Sequence, residues 1–152
     1  MKVIIQRVSH ASVQIDGKIT AEIDHGLLVL LGVADGDAEA DADFLAKKTA
    51  SMRIFCDSEE KMNLSVLDVG GSVIAVSNFT LCADASHGNR PSFIAAARPE
   101  VAEPLYGRFV HKLRENGVKN VQTGVFGADM KVSIENDGPV TIILDSQKSF
   151  LA

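Results

Sequence analysis

Cysteine is scarce in this chain: Cys56 and Cys82 are the two it has, set singly and with no CxxC spacing. Its four histidines, His10, His25, His87 and His111, are scattered without a paired-ligand pattern. A structural or catalytic metal is not expected from such a set, and no cofactor is expected. Cys82 follows an apolar strand and reads as buried filler rather than as a nucleophile. No uncharged run reaches the roughly 18 residues that a membrane-spanning helix needs. The N-terminal apolar run breaks at Gln6-Arg7, too early for a secretory signal, so a soluble, cytoplasmic protein is expected. Positive charge is also in deficit. With a net charge of -5 and a pI near 5.3, the chain lacks the basic face needed to coat a nucleic-acid duplex by counterion release. A grip on an RNA end alone stays open. The balance reverses locally, because residues 86–114 hold five basic side chains (Arg90, Arg98, Arg108, Lys112, Arg114) against Glu100 and Glu103. A solvated helix face accounts for that stretch equally well. Internal repeats, low-complexity segments and a GxSxG elbow are missing too.

What is present suits a single domain over residues 1–152, since 152 residues at 46% hydrophobic can bury a full core. The chain opens on alternating β patterns at Val3–Val8 and Ala11–Ile15. Asp16-Gly17 is a hairpin signal, and Lys18–Ile23 answers it as partner strand. Leu27–Val33 is a continuous apolar run of the kind buried on both faces. Ala42, Leu45, Thr49 and Met52 then recur at helical spacing behind an acidic stretch, Asp35 to Asp43, that suits a helix N-terminus. Arg53 to Gly71 reads as loop, Ser72–Ser77 as strand, and Ala83 to Arg98 as a long polar loop broken by Pro91-Ser92-Phe93-Ile94. A second helix is marked by Ala102, Leu105, Phe109 and Leu113, with Pro104 placed in its first turn and Gly117 closing it. Strands near Val121, over Met130–Glu135 and over Val140–Leu144 complete a mixed α/β domain with antiparallel hairpins at both ends.

Two places invite a chemical reading. Gly138-Pro139 stands between the last two strand patterns, where proline has no N–H to give a ladder. Asn136-Asp137-Gly138-Pro139 carries turn vocabulary, so a tight hairpin turn is the economical account. The alternative is that carbonyls freed from the ladder by Gly138 and Pro139 point into a site. The second place is Ser77-Asn78-Phe79-Thr80-Leu81, at the C-terminal end of a buried strand, where ligand sites of open α/β sheets lie. Two hydroxyls, an amide and an aromatic ring could orient a substrate there, with Phe79 stacked on a base. Equally, Ser77 and Thr80 could simply satisfy backbone groups.

Taken together, Gln6-Arg7-Val8, Gly26–Val33, Arg53-Ile54-Phe55, Lys61-Met62-Asn63-Leu64, Ser77–Leu81, Gly88–Phe93, Gln122-Thr123-Gly124 and Asn136–Thr141 resemble the D-aminoacyl-tRNA deacylase family, in order from Met1 to about Ser146. The resemblance implies an enzyme that hydrolyses the ester between a D-amino acid and the 3′-terminal adenosine of tRNA. It also implies a homodimer of a three-layer α/β fold, each subunit inserting a Gly-cisPro pair into its partner's pocket. Carried onto this chain, the pair is Gly138-Pro139, braced by Arg7, and the strand-end motif is Ser77 to Thr80. Phe126 and Met130 help line the pocket. Where the family usually has Ser-Gln-Phe-Thr, this chain has Asn78, which keeps the amide but is one methylene shorter.

Such a pair would reject L-esters by placing immovable carbonyls where the L side chain points. Glycine has no side chain to collide, so glycyl-tRNA is an expected substrate as well. For the chemical step, two versions stand. Thr80 attacks the ester, or a water attacks while N–H groups near Phe79 and Thr80 hold the oxyanion and the ribose 2′-hydroxyl assists. A binding module for tRNA ends and a generic esterase are the rival classes.

Overall fold

The computed structural model describes residues 1–149; the last three positions of the expected 1–152 domain lie outside the described residues. Strand β1 runs unbroken over Lys2–Ile15, joining the two alternating patterns into one element. Its turn into β2 (Lys18–Ile23) puts both Asp16 and Gly17 at positive φ, 49° and 76°, which is the geometry of a type I′ hairpin. β3 (Gly26–Gly32) pairs antiparallel with β1 and parallel with β6 (Ser72–Ser77), and β6 pairs parallel with β7 (Val121–Thr123). Two helices, α1 (Glu39–Ser51) and α2 (Pro99–Glu115), supply these crossovers and pack on each other. The mixed α/β architecture expected from the sequence is therefore what the chain adopts.

The expected C-terminal hairpin is not formed. Apart from Met130, which precedes it, both expected strands, Met130–Glu135 and Val140–Leu144, fall in a single strand, β8 (Lys131–Asp145), which lies antiparallel along the whole of β1. Turn vocabulary misled here because the same residues build a bulge: Asp137 to Val140 stand out of the ladder opposite Arg7 alone, while pairing resumes on both sides at Gln6↔Thr141 and Val8↔Asn136. Two smaller expectations shift as well. The stretch read as loop contains a short hairpin, β4 (Phe55–Cys56) with β5 (Met62–Leu64). Helix α2 starts at Pro99, so Pro104 falls beyond its first turn. Gly117, at φ 103°, closes α2: its N–H reaches the Arg114 carbonyl (3.0 Å) and the Val118 N–H the Leu113 carbonyl (3.2 Å), a Schellman stop.

A second irregularity in β1 decides where the cores lie. Val3 and Ile5 face α1 and α2 together with Leu27, Val29, Leu31, Val73 and Ala75. Val8 faces the other way, and an unpaired Ser9 then flips the alternation, so that Ala11 and Val13 join Val8 in a second core with Ala21, Ile23, Leu28, Ile74 and Val76. One strand thus serves two hydrophobic cores. The second core is enclosed because the sheet curls until its ends meet. Gln122 on β7 accepts the Glu22 N–H (2.8 Å) and donates to the Glu22 carbonyl (2.7 Å) on β2, so a side-chain amide closes the seam as a strand residue would.

Among the described residues, the hydroxyl of the fully buried Thr49 on α1 is the buried side-chain polar atom with no hydrogen-bond partner. Valine has the same shape and a similar helix propensity. Thr49→Val is expected to raise stability by about 1 kcal/mol, since an unsatisfied buried hydroxyl carries an uncompensated desolvation cost. A thermal melt shifted up by roughly 2–4 °C checks it.

Candidate active site

Parallel strands β3 and β6 end side by side, and the chain leaves β6 in a 3₁₀ turn, Phe79–Cys82. The Asn78 N–H donates to the Leu31 carbonyl (2.7 Å), tying this exit to the end of β3. The Asn78 side-chain oxygen then accepts from the Thr80 N–H (3.2 Å) and from the Thr80 hydroxyl (2.5 Å). Asparagine is favoured at such a start because its short amide reaches the backbone two residues on. Gly32 sits under the turn, where an added Cβ would come within 2.8 Å of Leu81 Cβ and 3.1 Å of the Asn78 carbonyl.

A cavity of about 680 Å³ opens at these strand ends. Ser77, Asn78 and Phe79 line it from the β6 exit, and Phe126 and Met130 from the segment between β7 and β8. Five of the residues expected at the site are therefore brought together. Gly124 makes room for this arrangement, because a Cβ there would overlap Met130 Sδ. Thr80 stands beside the cavity on the exposed turn, its hydroxyl turned onto Asn78. Asn78 is a neutral amide, so the contact fixes the Thr80 hydroxyl without supplying a base. It also commits the Thr80 N–H, one of the expected oxyanion donors.

Tyr106 and Phe93 also line the cavity, and the sequence reading did not place them there. Tyr106 falls at the helical spacing of Ala102 and Phe109, which marks a core face and nothing more. Its hydroxyl donates to the Ala75 carbonyl (2.8 Å), and its ring lies 6.2 Å from that of Phe126. Burial pushes the phenol up to about 12, against smaller opposing effects of Thr123 and Arg114. It is thus a neutral donor across the working range of pH. Phe93 meets Phe79 edge to face, centroids 5.2 Å apart. Cys82 is buried beneath the turn, and burial raises its thiol above the ordinary range, as suits a filler.

Gly138, Pro139 and Arg7 are not at this cavity. They form a separate cluster at the β8 bulge, where Gly138 and Pro139 are exposed and joined by a cis peptide bond. Arg7 holds the bulge from below: Nε donates to the Asp137 carbonyl (3.1 Å) and lies 3.2 Å from its carboxylate, and Nη1 donates to the Ile54 carbonyl (2.7 Å). Asn136 closes the neck, its Nδ2 within 3.0 Å of Gln6 Oε1 and 3.2 Å of both the Arg7 and Val140 carbonyls. Gly138 has φ 127°, and an added Cβ would lie 2.8 Å from Arg7 Nη2 and 2.9 Å from Val140 Cγ2. Only glycine fits.

Residues 4–145 match the family model described as D-Tyr-tRNA(Tyr) deacylase. The chain belongs to the D-Tyr-tRNA(Tyr) deacylase family. A “D-aminoacyl-tRNA deacylase” of Koribacter versatilis (strain Ellin345) is 58% identical over 150 residues, covering 99% of this chain and 100% of that protein. One from Flavobacterium psychrophilum (strain ATCC 49511 / DSM 21280 / CIP 103535 / JIP02/86) is 58% identical over 147 residues, covering 97% and 98%. Among solved structures, “c-Myc DNA Unwinding Element Binding Protein” superposes with a TM-score of 0.90 at 38% identity, over 95% of this chain and 98% of that one. As a member of the deacylase family the chain is a hydrolase acting on the ester bond of D-aminoacyl-tRNA. No helix among the described residues is long and apolar enough to cross a membrane. Nor do three or more His, Cys, Asp or Glu side chains among them converge as metal ligands would.

Proposed function

We infer that the cavity at the ends of β3 and β6 receives the aminoacyl end of tRNA, and that the Gly138-Pro139 bulge of a second copy supplies the wall that rejects L-esters. One observation carries this reading. Within a chain the bulge is exposed, braced by Arg7 and Asn136, and contributes no residue to the cavity lined by Ser77, Asn78 and Phe79. A braced, exposed projection that takes no part in its own chain's cavity is suited to another subunit's. The outer edge of β8, with Ile134 and Ile143 exposed, offers apolar surface for that homodimer. In each subunit the three expected layers are then the helix pair, the near wall of the curled sheet and its far wall.

Backbone carbonyls make a better chirality filter than a side chain because no rotamer can swing them aside. A D side chain points away from them, an L side chain into them, and glycine offers nothing to exclude. The chemical step follows from what the turn leaves available. Thr80 has no activating base, and its hydroxyl and N–H are both held by Asn78. Water, assisted by the ribose 2′-hydroxyl, therefore attacks the ester carbonyl. The Phe79 N–H and the Asn78 Nδ2, with the Ser77 hydroxyl beside them, are donors available to meet the developing oxyanion, and the bond to the ribose oxygen breaks as that oxygen takes a proton. Because Oδ1 is occupied twice by Thr80, the shorter Asn78 is fixed with its nitrogen directed elsewhere. In this way it serves in place of the family's glutamine.

Deacylation measured on D-tyrosyl-, L-tyrosyl- and glycyl-tRNA tests the reading. The D and glycyl esters should be hydrolysed and the L ester spared; comparable rates for the two tyrosyl isomers would sink the filter. Thr80→Val should keep kcat within about tenfold of wild type, the loss of one positioning hydrogen bond worth about 1 kcal/mol. A trappable acyl-enzyme in wild type, absent from Thr80→Val, would instead make Thr80 the nucleophile.

A further inference from the structure

Between the 3₁₀ turn and α2 the chain forms an arm, residues 83–98, that the cavity only partly explains. Its root is tied to the loop after β3: the Ala97 N–H donates to the Val33 carbonyl (3.0 Å) and the Asp35 N–H to the Ala95 carbonyl (2.9 Å). Further out, Asp84 and Ser92 exchange both backbone hydrogen bonds at 2.8 Å. That bridge closes off a tip, residues 85–91, which is exposed throughout and carries His87 and Arg90. The Asp84 carboxylate is turned onto the Ser86 N–H (2.9 Å). Immediately past the bridge come Phe93, 39% exposed and set against the 57% exposed Phe79, and then Ile94, 92% exposed.

The charges of this region sort into two groups. Arg108 is paired with Asp43 and Glu39, Lys112 with Glu115, and Arg114 donates to the Val121 carbonyl. The Arg90 and Arg98 side chains are exposed and make no hydrogen bond or ion pair with the described residues, while the Arg98 carbonyl accepts from the Val101 and Ala102 N–H groups at the start of α2. A chain of net charge -5 therefore keeps two uncommitted guanidiniums in the arm, on either side in sequence of Phe93, which with Phe79 lines the cavity.

We propose that this arm seats the single-stranded RNA leading into the aminoacylated nucleoside, with Arg90 and Arg98 on its phosphates and the Phe79–Phe93 pair as a stacking step for a base. The inference rests on the reading that the cavity takes an aminoacyl-RNA end. A single strand suits the arm because unstacked bases present π-faces to exposed rings. Guanidinium forks match phosphate oxygens. A duplex does not suit it, since two arginines cannot neutralise the run of phosphates a duplex presents. A protein partner for Ile94 and Phe93 would have no need of the two guanidiniums.

Fluorescence anisotropy of a labelled single-stranded RNA bearing the tRNA 3′-terminal sequence, titrated at several salt concentrations, tests the seat. Arg90→Glu combined with Arg98→Glu should weaken binding at least tenfold at low salt. It should also flatten the slope of log K against log salt by about 1.4, near 0.7 for each phosphate that is no longer neutralised. The Arg90→Lys, Arg98→Lys pair should keep most of the affinity and the slope. Neither arginine side chain is paired within the chain, so no variant should melt clearly below wild type, and a negative side chain at position 98, at the N-terminus of α2, should raise the melt by at most about 2–4 °C. Wild-type affinity and slope in the Glu pair, or tighter binding of a blunt duplex than of the single strand, would overturn the proposal. Hydrolysis of a D-aminoacyl ester of adenosine, which has no phosphate, reports separately on the cavity. If wild type leaves that ester intact the parent reading fails, and the anisotropy still decides the arm.

Discussion

Gly138→Ala is expected to cut kcat/KM for D-aminoacyl-tRNA by about 100-fold or more, the scale of loss that a 1 Å displacement of positioning groups produces. The added Cβ meets Arg7 Nη2 at 2.8 Å and Val140 Cγ2 at 2.9 Å, so either the guanidinium leaves its carbonyls or the bulge shifts. Both outcomes move the carbonyls that would face a substrate. At φ 127° alanine is also strained in itself, which costs roughly 1–2 kcal/mol and lowers the melting temperature by a few degrees. Gly17→Ala is the control, because Gly17 has φ 76° with nothing within 4 Å of an added Cβ. It should lose similar stability and keep its activity. Equal activity losses in the two variants would mean that the bulge acts only through folding.

Asp37→Asn is expected to have the largest effect on stability, about 3–5 kcal/mol. The carboxylate of Asp37 lies 2.5 Å from the α-ammonium of Met1, both buried, and its other oxygen accepts the Ala34 N–H (2.6 Å). Ser146 completes the cluster, accepting from the same ammonium at 2.9 Å. Removing the charge while keeping the shape leaves a buried cation without its counter-ion, and the melt should fall by about 10 °C or more. Asp41, next along, adds an acid limit. Burial alone would raise its carboxyl, but the Ser146 hydroxyl, the Ala38 N–H and the Met1 ammonium together hold it below the ordinary range. A carboxyl with a folded pKa lower than its unfolded one contributes stability above about pH 3.9 that is lost as pH falls through the folded value. A denaturation series from pH 5 to pH 2 should therefore be flatter for Asp41→Asn than for wild type.

Sequence periodicity was enough to place β2, β3, β6 and both main helices, because each of these elements buries one consistent face. It missed what depends on pairing between distant segments. Met130–Glu135 and Val140–Leu144 read as two strands since Asn136-Asp137-Gly138-Pro139 can turn a hairpin as readily as build a bulge. The partner that decides between them, β1, lies about 130 residues away. Phase was equally hidden in β1, where a single unpaired Ser9 moves Ala11 and Val13 onto the face already occupied by Val8. At the site, Ser77 to Phe79 were legible because a polar cluster ends an apolar strand. Tyr106 and Phe93 were not, since one resembles core and the other lies in a loop whose path is set by hydrogen bonds to Val33 and Asp35.

The amide of Gln122 has a consequence for how the molecule behaves in a crowded solution. β2 and β7 would otherwise end the sheet as two bare edges, each able to template a strand from a neighbouring molecule. Bonded to both backbone groups of Glu22, that one side chain withdraws a donor and an acceptor from the pool that edge-to-edge aggregation draws on. The outer edge of β8 carries no such cap, so on the proposed dimer the seam at Glu22 leaves strand-by-strand association freer on the side that carries Gly138-Pro139.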